Sequence, residues 1–407
     1  MKNKNLGIIL EIFKKPLWIA DDPSKINQRI IRKYTNLTCK YFPKFLNKRI
    51  LRFINYFNCS FVRIFSIFGY LYTNIYLIEG KEKFSGKKIS ILYINKNERL
   101  DYLKKILFQD KIKYKKIDKI FIWSFTRRLN KNLNGVDAVF YKSDRFYSHL
   151  FEKKDFIVIP EWITMTIDTS DSLENLIKKF SKSGKEDLRK VKKYGYTYEI
   201  TRDAEKLKYF YYQMYLQYIK KRHGKMAKII NFYAFRNLLE MGSKLMLIKY
   251  KDEYVQGSLF SVKKDKIITT YTGLLEGKEK LLKKGISAAP YYFLIKWAKE
   301  NNLKLIDFGK CRSFLNDGLL KYKRKWGAKI KKVDSHSPDI FGLKFNNTNE
   351  GITSFLINNP FLITQKDKLK IFSYNFLINN KILELKNQYD SLKISSISNR
   401  DFTKIFK

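Results

Sequence analysis

The hydrophobic and polar positions of the chain follow two periods, and together they predict a protein built from both strands and helices. In the first half, apolar residues form runs of strand length at 88–94 (KISILYI), 115–125 (KKIDKIFIWSF), 135–143 (GVDAVFYKS) and 162–169 (WITMTIDT). Between the first two runs, residues 98–108 (ERLDYLKKILF) have the spacing of an amphipathic helix. Strands that alternate with helices indicate an α/β lobe.

Two helices are predicted next, because each begins with a capping pattern. The sequence Asp171-Ser-Leu-Glu174 resembles a capping box, and so does Ser183-Gly-Lys-Glu186. The second of these helices is expected to end at Gly195, since glycine readily adopts the left-handed conformation of a helix C-terminus. Its run of lysines and arginine is typical of a solvated helix face.

The second half predicts two helices, three antiparallel strands, a helix and a final strand. Residues 204–222 form the first helix, and its apolar stripe consists of Leu207, Phe210, Tyr211, Met214 and Tyr218. The remaining predicted elements are a helix at 231–241, strands at 244–251, 254–264 and 266–276, a helix at 289–302 (APYYFLIKWAKENN) and a strand at 303–309 (LKLIDFG).

The N-terminal region predicts a basic amphipathic helix at 44–57 (KFLNKRILRFINYF). We expect this helix to pack its apolar stripe on the core, with an anionic membrane as the alternative partner. The uncharged run at 64–78 is shorter than the ~20 residues that span a bilayer, so it predicts a buried helix or strand. Glu11 interrupts the first apolar run and no small-residue cleavage site follows, so no signal peptide is expected.

The charge balance adds a question about partners. The 407 residues suffice for about two or three domains, and 83 basic against 38 acidic residues give a net charge of +45. Such a chain attracts polyanions: nucleic acid or an anionic membrane. The richness in Lys, Asn, Ile, Tyr and Phe also fits A/T-rich codons, and the lysines are spread along the whole chain. We take codon bias as the main cause and a polyanionic partner as the second.

The cysteine and histidine content gives no metal site or disulfide framework. The three cysteines, Cys39, Cys59 and Cys311, are far apart and form no C-x-x-C pair, so a reducing, cytoplasmic setting is expected. The three histidines are also widely separated. We therefore predict no bound metal.

The tripeptide Asp307-Phe308-Gly309 would hold magnesium in a protein kinase, but the other kinase motifs are missing. The sequence has no Gly-rich loop, no strand lysine and no His-Arg-Asp catalytic loop before Asp307. Ser183-Gly184-Lys185 lacks the earlier glycine of a Walker loop and is followed by Glu186. The sequence therefore excludes both a protein kinase and a Walker-type nucleotide-binding loop.

The same stretch instead resembles the end of a FemAB-like acyltransferase domain of the GNAT superfamily. The resemblance rests on Asp307-Phe308-Gly309, the basic-small-basic triplet 310–312, Gly318-Leu319, Tyr322-Lys323 and Trp326-Gly327, with about two extra residues in the loop after Arg312. Residues 254–273 resemble the family's hairpin, 210–225 its helix and turn, and 183–196 its basic helix. In all, the resemblance covers about 155–330.

The resemblance implies an α+β fold of two GNAT-like lobes in tandem, each a mixed, largely antiparallel sheet flanked by helices, with a degenerate N-terminal lobe. We therefore divide the chain into four regions: a basic, mainly helical region at 1–85, the degenerate N-terminal lobe at 86–200, the C-terminal acyltransferase lobe at 201–345, and a helical, polar extension at 346–407. Members related to polysaccharide and cell-envelope gene clusters are more similar than the peptidoglycan-bridge enzymes, whose coiled-coil insertion has no counterpart here.

The resemblance also implies acyl transfer to an amine, with catalysis near two diverging parallel strands at 266–275 and 303–309. Asp307 is then the candidate base, and its alternative role is to bond the next loop's backbone. Lys323 occupies the family's aromatic-Lys position and would stabilise an oxyanion or a phosphate; its alternative is an ordinary surface lysine. Arg312, Tyr322 and Trp326 are the candidate substrate-binding residues, with core packing as the alternative for the two aromatic side chains.

The donor-binding loop departs from the GNAT pattern, in which Arg/Gln-x-x-Gly-x-Gly/Ala precedes a helix and binds pyrophosphate. Here the loop is Leu282-Lys-Lys-Gly285-Ile-Ser287-Ala288. Gly285 fits the pattern, Leu282 does not, and Ser287 replaces the second small residue. Lys283 and Lys284 would compensate by charge. With Tyr271 of the hairpin, Lys283, Lys284, Gly285 and Ser287 are the candidate residues for acyl-coenzyme A.

These observations lead to one expectation for function and two alternatives. The leading one is an N-acyltransferase that moves an acyl group, acetyl-coenzyme A being the favoured donor, to an amino group of a cell-envelope or polysaccharide precursor. The acceptor would be an amino sugar or peptide, free or linked to a lipid or nucleotide. The alternatives are a transferase that uses aminoacyl-tRNA, and a non-catalytic basic protein that binds an anionic membrane or nucleic acid. We expect a cytoplasmic protein, with the inner face of the membrane as a peripheral site.

Overall fold

The computed structural model describes most of the chain from residue 67 onward. The described residues are 67–95, 101–124, 127, 129, 134–152, 156–224, 227, 229–276, 278–331, 339–347, 349–365, 368–374 and 393–397. The amphipathic helix predicted at 44–57 lies outside them.

The described chain is built from both helices and strands, as the sequence predicted. The helices are α1 (Asp101–Leu107), α2 (Ser148–Glu152), α3 (Leu173–Lys178), α4 (Lys182–Lys193), α5 (Ala204–Tyr209), α6 (Leu216–His223), α7 (Phe232–Glu240), α8 (Ala289–Glu300), α9 (Gly318–Arg324) and α10 (Glu350–Asn358). A π-helical segment, Phe210–Tyr215, joins α5 to α6, so the long helix predicted at 204–222 is one continuous unit with a wider turn inside it.

The strands that these helices flank fall into three sheets. They are β1 (Tyr72–Glu82), β2 (Lys88–Asn95), β3 (Phe108–Phe121), β4 (Ala138–Asp144), β5 (Ile157–Pro160), β6 (Trp162–Asp168), β7 (Thr197–Thr201), β8 (Lys244–Tyr250), β9 (Glu253–Lys263), β10 (Lys266–Leu274), β11 (Leu305–Arg312), β12 (Lys329–Lys331), β13 (Asp339–Phe345), β14 (Phe361–Gln365), β15 (Lys368–Tyr374) and β16 (Lys393–Ile397).

The first two sheets have the same arrangement, in which one parallel pair of strands lies among antiparallel neighbours. The first has the order β3-β1-β2-β4-β13-β5, and the second has the order β12-β6-β11-β10-β9-β8-β7. Each contains a single parallel pair, β2 with β4 and β10 with β11, and every other neighbouring pair is antiparallel. The predicted fold class, mixed and largely antiparallel sheets flanked by helices, is confirmed.

Apolar residues cover both faces of each of these two sheets. In β1, Ile75 and Tyr76 belong to different core clusters, because successive strand residues point to opposite faces. In β8, Met246 and Leu247 likewise belong to different clusters. Sheets buried on both faces explain why these strands appear in the sequence as continuous apolar runs.

Each of the two sheets contains a strand from the chain segment that was expected to form the other lobe, which the sequence did not predict. β6 lies in the segment expected for the first lobe but pairs with β11 and β12 of the second sheet. β13 follows the second sheet in sequence but pairs with β4 and β5 of the first. The predicted boundaries at 200/201 and 345/346 therefore do not coincide with the sheets, because strand pairing joins segments that are distant along the chain.

Three further expectations differ from the structure. β1 occupies part of the region 1–85 that was predicted to be mainly helical. This segment forms a strand because it pairs with β2 on one side and with β3 on the other. The extension 346–407 contains α10 but also the sheet β14-β15-β16. Helix α4 begins earlier than its predicted cap at Ser183, because the hydroxyl oxygen of Ser181 accepts a hydrogen bond from the Gly184 N–H at 3.2 Å.

Within the described ranges, no helix combines the length and apolar character needed to cross a bilayer. The 64–78 run, which the sequence predicted to be buried, contributes residues 72–78 to strand β1.

Candidate functional site

The parallel strands β10 and β11 pair only over their first three residues and then diverge. Lys266, Ile267 and Ile268 are paired with Leu305, Ile306 and Asp307, and the ladder ends there. Gly309 follows with a φ of 77°, a left-handed conformation that favours glycine. The sequence prediction that these two strands are parallel neighbours is confirmed, and their divergence leaves a gap in the second sheet.

A bulge on β10 shapes the other wall of this gap. Thr269 is opposite Phe260 of β9 and Tyr271 is opposite Leu259, so Thr270 is the extra residue. The Thr270 hydroxyl donates a hydrogen bond to the carbonyl oxygen of Leu259 at 2.8 Å. The bulge changes the direction of the following side chains at the gap.

A cleft of about 600 Å³ opens beside this gap. Helices α6, α8 and α9 and strands β9, β10 and β11 contribute its walls. Its lining residues are Tyr218, Arg222, Gln256, Ser258, Thr269, Thr270, Tyr271, Thr272, Ser287, Pro290, Tyr291, Leu294, Phe308, Gly309, Lys310, Gly318, Leu319, Tyr322 and Lys323. The cleft thus combines aromatic rings, hydroxyl groups and three basic side chains.

The charge of the cleft is positive. Its three basic residues are Arg222, Lys310 and Lys323, and none of the described side chains that line it is acidic. Arg222 is held against Tyr218, because its guanidinium donates to the phenol oxygen and lies 5.7 Å from the ring centre. Such a cleft favours an anionic ligand, for example one that carries phosphate.

Lys323 lies at the base of the cleft, and only 3% of it is exposed. Its Nζ donates hydrogen bonds to the carbonyl oxygens of Gly309 at 3.0 Å and Lys310 at 3.1 Å. Burial lowers the pKa of Lys323, because the charged form loses its hydration. The neighbouring Cys311 is also buried, and this raises the pKa of its thiol to about 11, so the thiol is protonated at neutral pH.

One polar atom at the cleft, Oε1 of Gln256, is buried and lacks a hydrogen-bond partner among the described residues. A buried polar group without a partner costs free energy, so this atom is suited to a ligand that supplies the missing bond. Burial raises the pKa of Tyr322, which keeps its phenol neutral as a donor.

The structure places Asp307 beside the cleft rather than in its lining. Its Oδ2 pairs with the Lys266 ammonium at 2.8 Å, and its Oδ1 accepts the Gly309 N–H at 2.9 Å. Its backbone carbonyl accepts the Thr269 hydroxyl at 3.1 Å. Asp307 is the third residue of β11, at an irregularity in the pairing of β11 with β6, and its carboxylate bonds the backbone two residues on. The backbone-bonding role considered from the sequence is therefore present, but within a strand that continues to Arg312 rather than at a strand end.

Arg312 and Trp326 also lie away from the cleft lining. Arg312 forms a buried ion pair with Glu161, and its guanidinium lies 3.8 Å from the Trp162 ring centre. Glu161 also pairs with Lys142 of the first sheet at 2.9 Å, so the cluster connects the two sheets. Trp326 is fully buried and stacks on Tyr291 at 5.7 Å between ring centres. Of the three predicted substrate-binding residues, only Tyr322 lines the cleft.

The predicted donor-binding residues divide into two groups. Tyr271 and Ser287 line the cleft, whereas Lys283, Lys284 and Gly285 are not part of its lining. The Lys284 Nζ lies over the rings of Tyr194 and Tyr250, at 5.2 and 5.4 Å from their centres. Gly285 has a φ of 83°, and a Cβ there would lie 2.9 Å from the Lys190 Cβ of helix α4. This loop therefore packs against α4 and β8.

The cleft residues that were not identified from the sequence as functional include Arg222, Gln256, Ser258 and Lys310. Gln256 gave a usable signal, because it is a polar residue inside the apolar run of a buried strand. Lys310 belongs to the triplet 310–312 that carried the resemblance but was given no role of its own. Arg222 and Ser258 gave no signal, since a single Arg or Ser is common on any helix or strand. In the described part of the chain, no group of three or more His, Cys, Asp or Glu residues could hold a metal ion.

No protein-family profile and no curated protein matches the chain. Solved structures similar to it include FemX, with 15% identity, coverage of 65% of this chain and 83% of that chain, and a TM-score of 0.36. L-PGS from Bacillus licheniformis has 12% identity, coverage of 70% and 88%, and a TM-score of 0.32. A GCN5-related N-acetyltransferase from Sphaerobacter thermophilus has 10% identity, coverage of 64% and 75%, and a TM-score of 0.29. Because these identities and TM-scores are low, any function has to be inferred from the chain's own residues.

Proposed function

We propose that the chain is an N-acyltransferase, which moves an acyl group from acyl-coenzyme A to an amino group of a cell-envelope or polysaccharide precursor. One observation carries this proposal. The buried Lys323 lies at the base of a basic cleft, at the point where β10 and β11 diverge. The cleft has the charge for a phosphate-bearing donor and the aromatic and hydroxyl groups for an acceptor.

The reaction requires a neutral amine, a fixed carbonyl and stabilisation of an oxyanion. The amine nitrogen attacks the acyl carbon, the new C–N bond forms, and the bond to the donor sulfur breaks. Lys323 would stabilise the oxyanion, and loss of one such donor typically costs about 10²- to 10³-fold in turnover. Its lowered pKa also makes its ammonium a better proton donor to the leaving group than an exposed lysine.

The amine must lose a proton, and no acidic side chain in the described lining is available to take it. The three basic residues of the cleft disfavour a further positive charge, so they would lower the pKa of the bound amine and favour release of its proton to water. The departing thiolate, whose pKa resembles that of cysteine at about 8.5, would take its proton from the Lys323 ammonium, and the neutral Lys323 amine would then take up the remaining proton of the attacking nitrogen. In this scheme Asp307 holds the backbone of β11 at Gly309 and does not act as a base.

Aminoacyl-tRNA is the second candidate donor, and one observation favours it. The loop that would bind the pyrophosphate of coenzyme A presents Lys284 to two tyrosine rings and leaves Lys283 and Gly285 outside the cleft. Arg222 and Lys310 line the cleft instead and would meet the phosphates of a nucleic acid end. The acyl group would then leave a ribose oxygen rather than sulfur.

The test compares Lys323→Ala with Lys321→Ala, an exposed lysine on the same helix. Binding of acetyl-coenzyme A is measured by calorimetry, and release of free thiol is followed with a panel of amino sugars and nucleotide-linked amino sugars. We expect micromolar binding by the wild type, turnover reduced by about 10²- to 10³-fold in Lys323→Ala, and unchanged turnover in Lys321→Ala.

Three other outcomes would change the proposal. Full turnover by Lys323→Ala would remove Lys323 from the chemistry. Absence of binding by the wild type would exclude acetyl-coenzyme A and direct the same pair of variants to charged tRNA. Absence of transfer from either donor would favour a non-catalytic binding protein.

A further inference from the structure

Several aromatic side chains at one end of the first sheet are exposed to solvent. Phe68, Tyr72, Trp123 and Phe146 are 61%, 58%, 59% and 57% exposed. Phe121 connects two of them, because its ring lies 4.9 Å from that of Tyr72 and 5.0 Å from that of Trp123. We call Phe68, Tyr72, Phe121, Trp123 and Phe146 the aromatic edge. Such a group of exposed rings on a folded protein marks an interaction surface.

The aromatic edge is continuous with a basic strand. β3 is the edge strand of the first sheet, and its exposed lysines are Lys111, Lys113, Lys115, Lys116 and Lys119. Lys119 connects the two features directly, since its Nζ lies 5.3 Å from the Tyr72 ring centre. Lysine on an edge strand also discourages strand pairing between molecules, but that role does not account for the exposed rings beside it.

The charge of this surface limits what can cover it. A second copy of the chain would bring an identical row of lysines, and each chain carries a net charge of +45. The N-terminal region of the same chain is also rich in lysine and arginine. Either occupant would be repelled, so the charge favours an anionic partner.

The types of residue favour a lipid surface over a nucleic acid. Trp and Tyr suit the membrane interface, because their rings are apolar and carry one polar group, and Phe adds a purely apolar contact. Lysine, a flexible point charge, suits phosphates dispersed over a surface, whereas arginine is preferred where phosphate is recognised with two parallel hydrogen bonds. On β3 the cations that flank the rings are lysines.

We propose that the aromatic edge and the lysines of β3 bind an anionic bilayer surface. The exposed rings enter the boundary between headgroups and acyl chains, and the lysines contact lipid phosphates. This surface belongs to the first sheet, and none of its residues lines the cleft of the second sheet, so it does not depend on the proposed acyl transfer.

The first experiment measures sedimentation of the full-length protein with vesicles of phosphatidylglycerol and phosphatidylcholine, and with phosphatidylcholine alone. We expect binding to the anionic vesicles that weakens with salt, and at least tenfold weaker binding by the double variant Trp123→Ala/Phe146→Ala. The matched control is Tyr212→Ala/Tyr233→Ala, which removes two rings of 43% and 41% exposure elsewhere on the surface. Circular dichroism checks that both variants fold.

A second pair of variants separates a local effect from net charge. Lys113→Glu/Lys115→Glu and Lys304→Glu/Lys321→Glu change the net charge equally, and all four lysines are exposed. We expect the first pair to weaken vesicle binding at least tenfold and the second pair to weaken it less than threefold. Equal losses in the two pairs would show that overall charge alone attracts the protein.

A third measurement tests whether Trp123 enters the membrane. Brominated phosphatidylglycerol quenches tryptophan fluorescence at the acyl boundary, and we expect much less quenching in Trp123→Phe than in the wild type. The proposal is overturned if the wild type binds no vesicle, if quenching is equal in the two proteins, or if the double aromatic variant binds like the wild type. Binding of single-stranded RNA, lost in that variant, without vesicle binding would assign the surface to nucleic acid instead.

Discussion

Gly257 and Gly273 lie directly opposite each other on β9 and β10, and the π-helical segment Phe210–Tyr215 packs against both. A Cβ on Gly257 would lie 2.4 Å from a ring carbon of Phe210, and a Cβ on Gly273 would lie 2.5 Å from the backbone nitrogen of Tyr215. The glycine pair therefore lets this segment approach the sheet. Helix α6 continues from it and carries Tyr218 and Arg222 to the cleft.

We expect Gly273→Ala to destabilise the protein by about 1–3 kcal/mol or more, because the new methyl group would meet rigid backbone rather than a flexible side chain. The measurement is urea unfolding followed by circular dichroism. Gly318→Ala is the matched control, since nothing lies within 4 Å of a Cβ there and the residue begins a helix. A Gly273→Ala protein as stable as the wild type would contradict the close approach.

Asp307→Asn tests whether Asp307 supports the strand or takes part in the chemistry. Asparagine keeps an acceptor for the Gly309 N–H but loses the ion pair with Lys266, so we expect a loss of about 1–3 kcal/mol in the free energy of unfolding. Turnover should change little. A general base contributes roughly 10²- to 10⁴-fold, so a decrease of that size without a loss of stability would assign Asp307 to catalysis.

Arg312→Ala tests the ion-pair cluster between the two sheets. Glu161 is 4% exposed and pairs with both Arg312 and Lys142, so removal of one cation leaves a buried charge undercompensated. We expect a loss of about 3–5 kcal/mol in unfolding experiments. The triple variant Arg312→Met/Glu161→Leu/Lys142→Met should recover part of that loss, because it removes all three charges of the cluster. If the triple variant were less stable than Arg312→Ala, the buried charge would not be the source of the effect.

Glu199 gives a prediction for acid pH. Hydrogen bonds from Lys206, Tyr254 and Lys249 lower the pKa of Glu199 from its ordinary value of 4.5 to about 2. Its contribution to stability is therefore fully present above pH 4.5 and is lost as the pH falls through about 2. Glu199→Gln should be less stable than the wild type at neutral pH, and this difference should shrink between those two values. Urea unfolding at a series of pH values measures it.

The matched control for Glu199 is Glu205→Gln. Glu205 lies on the neighbouring helix, its side chain is 82% exposed, and its pair with Lys208 spans 3.7 Å. An exposed pair of this kind contributes little to stability. We therefore expect the Glu205 variant to follow the wild-type curve, and a pH dependence shared by both variants would indicate a general charge effect instead.

Local sequence patterns were enough to predict the fold class and many of the helices and strands. The runs 88–94 and 162–169 and the helix at 289–302 were predicted close to their observed positions, because apolar period and strand length are local properties. The stretch 303–327 also located the strand that diverges from β10 and the lysine that reaches the cleft. These residues lie close together in the sequence, so their spacing can be read without knowledge of the fold.

Contacts between distant parts of the chain set which residues share the cleft and which sheet each strand joins. Arg222, Gln256 and Lys310 come from three separate elements, and nothing in their local sequence indicates that they meet. Arg312 and Asp307 matched the family's motif, and Lys283 was expected to compensate by charge, but all three lie outside the cleft lining. The direction of each side chain is set by its backbone and its neighbours. The exchange of β6 and β13 between the sheets has the same origin, since strand pairing depends on contacts between residues far apart in the chain.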